Sequence, residues 1–260
     1  MNKETSNKFD INNYLFNQDS KLGIYIIHGF SSTTYEVKKI AQHLANQGYH
    51  VKADNLPGHG TTIEDCNSTK YHEWLTFVEQ NVAELYTYCD KVIVMGVSMG
   101  GVLALYLGTV FPLDGIISAS PLIKFKKEFD VRVLARLFHR FKPTIKKEST
   151  FHPDQLKVSR VAFYGYNCYP VVALNEMRKL IDKVKINLHK ISSPVLLIHS
   201  KVDKTALFKN YHIIKSLLKT SNLSTLVVEK TGHHVFDPEE SDKEEIFTTI
   251  SDFTKTMFNE

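Results

Sequence analysis

Ser98 stands in Gly96-Val97-Ser98-Met99-Gly100, directly after the apolar run Lys91-Val92-Ile93-Val94-Met95. Small residues two positions to either side let a chain turn sharply from strand to helix and leave a serine hydroxyl protruding at the bend. Such a hydroxyl is a weak nucleophile at neutral pH. It needs a base to take its proton and a third group to orient that base. Two later segments supply these residue types. Thr231-Gly232-His233 follows the strand-like run Thr225 to Val228, and Asp203 lies just past the run Pro194 to His199. The order Ser98, Asp203, His233 is the one expected when the three groups end neighbouring strands of a parallel sheet. Attack on a carbonyl also requires two preorganised N–H donors for the oxyanion. Met99, at the start of the following helix, offers one. Phe30 in His28-Gly29-Phe30 offers the other, Gly29 permits close approach, and Gly29 and Phe30 are the expected substrate contacts.

Other residues compete for these roles. Asp237 and Asp182 are alternative acids, and the doubled His233-His234 leaves a second candidate base. His233 follows the glycine directly, so His234 is expected to point elsewhere, to solvent or to a helix N-terminus. His28 and His59, the latter in Pro57-Gly58-His59-Gly60, read as loop-holding residues. Cys168 among tyrosines has no histidine–acid pair patterned for it and reads as packing. The chain has twelve histidines but no H-E-x-x-H, and adjacent side chains chelate poorly. No metal and no cofactor is expected.

The elements that must hold these residues follow from periodicity. Strand-like runs alternate with helix-like runs, which predicts a mostly parallel sheet covered by helices. Strands are expected at Asp10 to Phe16, Leu22 to Ile27, His50 to Ala53, Lys91 to Met95, Gly115 to Ala119, Pro194 to His199 and Thr225 to Val228. Helices are expected at Thr34 to Asn46, Lys70 to Cys89, Gly101 to Thr109, Leu207 to Leu218 and Asp242 to Met257. The rhythm breaks between Leu122 and Ser192, where no strand pattern is visible. This predicts a core domain of residues 1–121 and 193–260 with a helical cap, 122–192, over the carboxyl edge of the sheet, where α/β folds bind their ligands.

With 260 residues, 43% hydrophobic and 23% charged, the composition is that of a soluble globular chain. No run approaches the ~20 apolar residues of a membrane span. The polar Met1 to Asp10 shows no apolar h-region, and three cysteines without metal spacing fit a reducing compartment, so a cytoplasmic location is expected. The net charge of +4 is unevenly spread. Lys124 to Lys147 holds nine Lys/Arg and two acids, a net +7, leaving −3 elsewhere. Within it Phe125, Phe129, Val133, Leu137 and Phe141 recur every four residues, with Leu134 and Phe138 beside them, as one helical face. Lys126, Lys127, Arg132, Arg136 and Arg140 fall mainly off that face. The plainer reading is a packed cap helix with a solvated basic side; the sharper one is weak association with anionic lipid surfaces. No nucleic-acid reader motif accompanies the charge. Phe163 to Pro170 suits either an acyl tunnel or the interior of the cap.

His28-Gly29-Phe30, Asp54-Asn55-Leu56-Pro57-Gly58-His59-Gly60, Gly96-Val97-Ser98-Met99-Gly100, Asp203 and Gly232-His233 together resemble the α/β-hydrolase superfamily, and within it the bacterial carboxylesterase and monoacylglycerol lipase branch. One departure is the turn before the acid, Ser200-Lys201-Val202-Asp203, where that family usually has a small residue, often glycine. The resemblance implies Ser98 as nucleophile, His233 as general base, Asp203 as orienting acid and Phe30 and Met99 as the oxyanion hole. The expected activity is hydrolysis of small to medium acyl esters, monoacylglycerols among them. A non-catalytic or slow ligand receptor is the alternative from another class. Acyl transfer, or cleavage of an amide or carbon–carbon bond, is the alternative within enzymes. Tight ligand retention with single-turnover acylation would mark the receptor, and product analysis with competing acceptors would mark transfer.

Overall fold

The computed structural model describes residues 11–127, 131, 143–147, 165–237 and 241–259. Seven strands form the main sheet: β1 (Tyr14–Phe16), β2 (Leu22–Ile27), β3 (His50–Ala53), β4 (Lys91–Val97), β5 (Gly115–Ala119), β8 (Val195–Ser200) and β9 (Leu223–Val228), in the order β1-β3-β2-β4-β5-β8-β9. Only the edge strand β1 runs antiparallel; every other pairing is parallel. A parallel sheet needs crossover connections that cover both faces, so its strands are buried on both sides and read as continuous apolar runs. β4 and β8 fit this, with alternate residues entering opposite cores. Val92, Val94, Val195 and Leu197 join one core, and Ile93, Met95, Leu196 and Ile198 the other.

Helices α3 (Tyr71–Tyr88) and α4 (Met99–Leu107) cover the first face, and α1 (Lys38–Ala45) and α7 (Lys243–Asn259) contribute to the second core. The Lys70 N–H donates to Glu73 Oε1 at 2.7 Å, closing the start of α3. The helix predicted from Thr34 divides into a 3-10 turn, Thr34–Val37, followed by α1. A short α2 (Ile63–Ser68) has no long periodic face in the sequence, but its cap is chemically plain: Thr62 Oγ1 accepts the Asp65 N–H at 3.1 Å.

Part of the predicted cap region lies among the described residues, and it differs from the reading of 122–192 as free of strands. β6 (Thr144–Lys146) pairs antiparallel with β7 (Cys168–Pro170). Three-residue strands are too short to show an alternating pattern. Tyr166, just before β7, is buried; its hydroxyl donates to Gly58 O (2.8 Å) or Thr62 O (2.7 Å), and its N–H to Ser31 O (3.1 Å). It ties this region to the loops after β2 and β3. Helix α5 (Val171–Lys185) buries Ala173, Met177, Leu180, Ile181 and Val184 in the first core. α6 (Lys209–Leu217) adds Tyr211 and Ile214 to the same core. Of the predicted cap helix, Phe125 is buried, whereas Phe129, Val133, Leu134, Leu137, Phe138 and Phe141, with Arg132, Arg136 and Arg140, lie outside the described residues.

Candidate active site

Ser98 sits on the turn between β4 and α4 with φ 57° and ψ −116°. That region disfavours an L residue, and holding one there costs of order 1–3 kcal/mol. The turn is over-determined by its surroundings. The Ser98 N–H donates to Ala119 O at 2.9 Å, and a Cβ on Gly96 or Gly100 would strike Gly100 carbonyl or Ile27 and His28 carbonyl oxygens, respectively. Gly96 therefore lets α4 start directly against the end of β4, and Gly100 lets it pass against the end of β2, with Ser98 at the bend between them. Met99 is the first residue of α4, and the first amides of a helix have no carbonyl one turn back.

The loop after β2 comes to the same place. At Gly29 a Cβ would lie 3.3 Å from Ser98 Cβ. The Gly29 carbonyl faces His28 Nδ1 at 2.8 Å and accepts the Ser32 N–H at 3.3 Å. His28 Nε2 is 3.0 Å from the Leu56 N–H, which can only donate, so the proton is on Nδ1 and Gly29 O accepts it. Burial works against charging His28 and lowers its pKa, which keeps this arrangement neutral. Because the peptide is trans, fixing Gly29 O fixes the Phe30 N–H in the opposite direction. The Phe30 ring packs edge-on against His59 and Trp74, with centroids 6.1 and 6.3 Å away. His59 Nδ1 faces Pro57 O at 3.1 Å; burial first, then the closeness of the His28 imidazole, bring its pKa to about 3, so it stays neutral at physiological pH.

Asp203 follows β8 and is buried. Its Oδ1 accepts the N–H groups of Thr205 (2.7 Å) and Ala206 (2.9 Å), and its Oδ2 lies 2.7 Å from His233 Nδ1. Asp203 and His233 are thus paired, while Asp182 bonds Arg178 Nη1 (3.0 Å) on α5, and the Asp237 N–H donates to His234 O (2.9 Å). Ser200, where a glycine was expected, has a positive use. Its hydroxyl donates to Thr231 O and accepts the Val202 N–H at 3.1 Å, joining the acid turn to the histidine loop. Asp242 holds that loop from the other side, accepting the Lys230 and Thr231 N–H groups at 2.9 and 2.8 Å. His234 is half-exposed, and its Nδ1 is 3.2 Å from Oε1 of Glu36, in the first turn of the 3-10 helix. Glu36 Oε2 in turn accepts the Gly29 N–H at 2.7 Å. Glu36 therefore joins the Gly29 loop, whose backbone passes close to Ser98, to the loop carrying His233. Sequence reading missed it, because one acid in the polar stretch Ser31 to Glu36 matches no motif.

With Nδ1–H donated to Asp203, the His233 Nε2 keeps a lone pair and can act as a base. Burial opposes a charge on His233, but the attraction of Asp203, their hydrogen bond and the Glu36 charge outweigh it and raise its pKa above the ordinary 6.5. Burial likewise opposes the Asp203 charge, and His233 with the Thr205 N–H overcomes it, so the carboxyl titrates below its usual 3.8. In the role of base, His233 would work only when neutral. Activity should therefore rise with pH through a single limb whose midpoint lies above 6.5; a kcat/KM profile already flat at pH 6 would contradict this. Among the described residues no three His, Cys, Asp or Glu side chains converge as metal ligands.

A parallel sheet with helices on both faces, and a serine on its strand-to-helix turn, define an α/β-hydrolase. The chain belongs to the serine aminopeptidase S33 family, whose sequence model matches residues 18–240. It is 28% identical over 219 residues to a thermostable monoacylglycerol lipase of Bacillus sp. (strain H-257), with 84% of each chain covered. It is 25% identical over 224 residues to a carboxylesterase of Bacillus subtilis (strain 168), covering 84% of this chain and 87% of that one. In fold it matches a structure from work on LipS and LipT, two metagenome-derived lipolytic enzymes, with a TM-score of 0.85 at 22% identity over 95% and 98% of the chains. The protein is a hydrolase of the esterase and lipase type.

Proposed function

We propose that this protein is a serine ester hydrolase that cleaves small to medium acyl esters, monoacylglycerols among them, through an acyl-enzyme on Ser98. The observation that carries the reading is the 2.7 Å His233–Asp203 contact, with Asp203 Oδ1 held by two backbone N–H groups. It orients one imidazole nitrogen and leaves the other as a base. Ser98 Oγ attacks the ester carbonyl carbon as its proton passes to His233 Nε2. The Phe30 and Met99 N–H groups receive the developing oxyanion. Collapse breaks the bond to the alkoxy oxygen, which leaves as the alcohol with the proton from His233. Water, deprotonated by the same nitrogen, then releases the acid and regenerates Ser98. Acyl transfer is the same sequence with another acceptor in place of water.

The test is turnover of p-nitrophenyl esters from acetate to palmitate, together with fluorophosphonate labelling. Turnover at the short to medium end, with label on Ser98, is expected. A folded protein that neither turns over any ester nor takes the label overturns the reading. The family's aminopeptidase description favours amide cleavage as the second reading, and turnover of amino-acid p-nitroanilides above that of the esters would establish it. Residues 122–192 are assigned as a cap over the site, with Tyr166 and α5 anchoring its later part. No helix among the described residues is long and apolar enough to cross a membrane, and Cys66, Cys89 and Cys168 are free thiols. The net +7 between Lys124 and Lys147 is assigned to weak association with anionic lipid surfaces, expected as co-sedimentation with phosphatidylglycerol vesicles at low salt and lost at high salt.

A further inference from the structure

Glu36 is a buried carboxylate in the 3-10 turn Thr34–Val37, and its two oxygens serve two different loops. Burying a carboxylate is costly unless it is hydrogen-bonded and paired. Oε2 takes the Gly29 N–H at 2.7 Å, and Oε1 faces His234 Nδ1 at 3.2 Å. The missing side chain of Gly29 is what allows this. A Cβ there would sit 3.1 Å from Glu36 Oε2 and 3.3 Å from Ser98 Cβ, so the peptide is held between the carboxylate and the nucleophile. We infer that Glu36 is a positioning residue, clasping the oxyanion loop to the base loop so that the Phe30 N–H and His233 are set together against Ser98. The inference rests on the ester-hydrolase reading above.

The charged and titratable groups facing Glu36 are His28 at the end of β2, His234 and His233 in the loop after β9, and Lys147 beside β6. Burial works against the Glu36 charge, but the hydrogen bond and charge of His234, the Gly29 N–H and His28 prevail and bring its pKa to about 2. Glu36 is therefore ionised throughout the working range. Any pH dependence it imparts comes through the imidazoles, not through its own titration.

Glu36→Gln keeps the shape and an oxygen for the Gly29 N–H but removes the charge; Glu36→Ala removes both. Loss of a fixed oxyanion donor costs about 10²–10³-fold in kcat, which bounds the effect. Expected are a fall in kcat of about tenfold for Glu36→Gln and about 100-fold for Glu36→Ala, with KM within about twofold. A trifluoromethyl ketone, which forms the tetrahedral adduct, should weaken in Ki by the factor lost in kcat/KM. The acid limb of Glu36→Gln should move to lower pH, because the Glu36 charge helps raise the His233 pKa. A merely structural carboxylate would lower the melting temperature without this kcat-selective pattern. If Glu36→Ala does not fold, the isosteric Glu36→Gln still decides. Folded variants with kcat within twofold of wild type, or with the loss confined to KM, overturn the clasp while leaving Ser98 chemistry intact. An unreactive wild type refutes the ester-hydrolase reading instead. The clasp is then read from hydrogen exchange at the Gly29 amide, slow in wild type and at least tenfold faster in Glu36→Ala if the bond exists; equal rates overturn it.

Discussion

Ser98→Ala is expected to lower kcat for ester hydrolysis by about 10⁴–10⁶-fold, leaving only what oriented N–H groups and binding contribute over water. The size follows from the chemistry: without Oγ no acyl-enzyme forms, and a weakly activated water must attack in its place. The backbone at this position makes a second, independent expectation. At φ 57° and ψ −116° any side chain with a Cβ is strained, so alanine inherits the strain and should melt close to wild type. Ser98→Gly removes the strain, because glycine adopts the mirror-image region freely. Against the relief of about 1–3 kcal/mol stands a gain in unfolded-chain entropy of about 0.4–1 kcal/mol. Ser98→Gly should therefore be inactive and melt about 2–4 °C above Ser98→Ala for each net kcal/mol. Calorimetry on the two variants checks it. A glycine variant melting below the alanine one would mean that the turn stores no strain, and turnover surviving in either variant would remove Ser98 from the mechanism.

This turn was legible before any coordinates because its chemistry and its geometry use the same letters. Gly96 is demanded by the contact of β4 with the first turn of α4, Gly100 by the contact of α4 with β2, and Val92 to Met95 by a doubly covered strand, so the motif carries its own context. Asp203 was legible for a related reason: it follows β8, whose apolar run Val195 to Ile198 is continuous, whereas His233 follows β9, where only Leu226 to Val228 is apolar and the Gly232-His233 pair carried the reading. Gly115 to Ala119 was read with the bounds the structure has, whereas the helix from Thr34 began as a 3-10 turn. A 3-10 turn and an α-helix share the same apolar spacing over four residues, so composition does not divide them. Glu36 lies on that turn. Its burial depends on the approach of Gly29 and His234, which are 7 and 198 residues away in sequence. No local pattern encodes such a meeting. The β6–β7 pairing escaped for want of length, and Ser200 because its hydroxyl bonds a carbonyl 31 residues on.

Asp203→Asn should lower kcat at neutral pH by about 10⁴-fold while the protein melts close to wild type. Asparagine has the shape of aspartate but only one acceptor oxygen. The Thr205 and Ala206 N–H groups, 2.7 and 2.9 Å from Oδ1, compel that oxygen to occupy the Oδ1 position. The amide nitrogen is then left facing His233 Nδ1, where Oδ2 stood at 2.7 Å. An NH₂ group donates, so Nδ1 must accept, and the imidazole proton moves to Nε2. The nitrogen that should take the Ser98 proton now carries one of its own. Asp203→Ala imposes no tautomer and merely leaves the ring unsupported, so it should retain at least as much kcat as Asp203→Asn despite its greater loss of hydrogen bonds and stability. The two substitutions thus separate orientation from tautomer control. Removal of the carboxylate also lowers the His233 pKa, so whatever activity remains should extend to lower pH than in wild type. Steady-state kinetics on both variants between pH 5 and 9 measure each effect, and an asparagine variant within tenfold of wild-type kcat would show that Asp203 does not set the proton on His233.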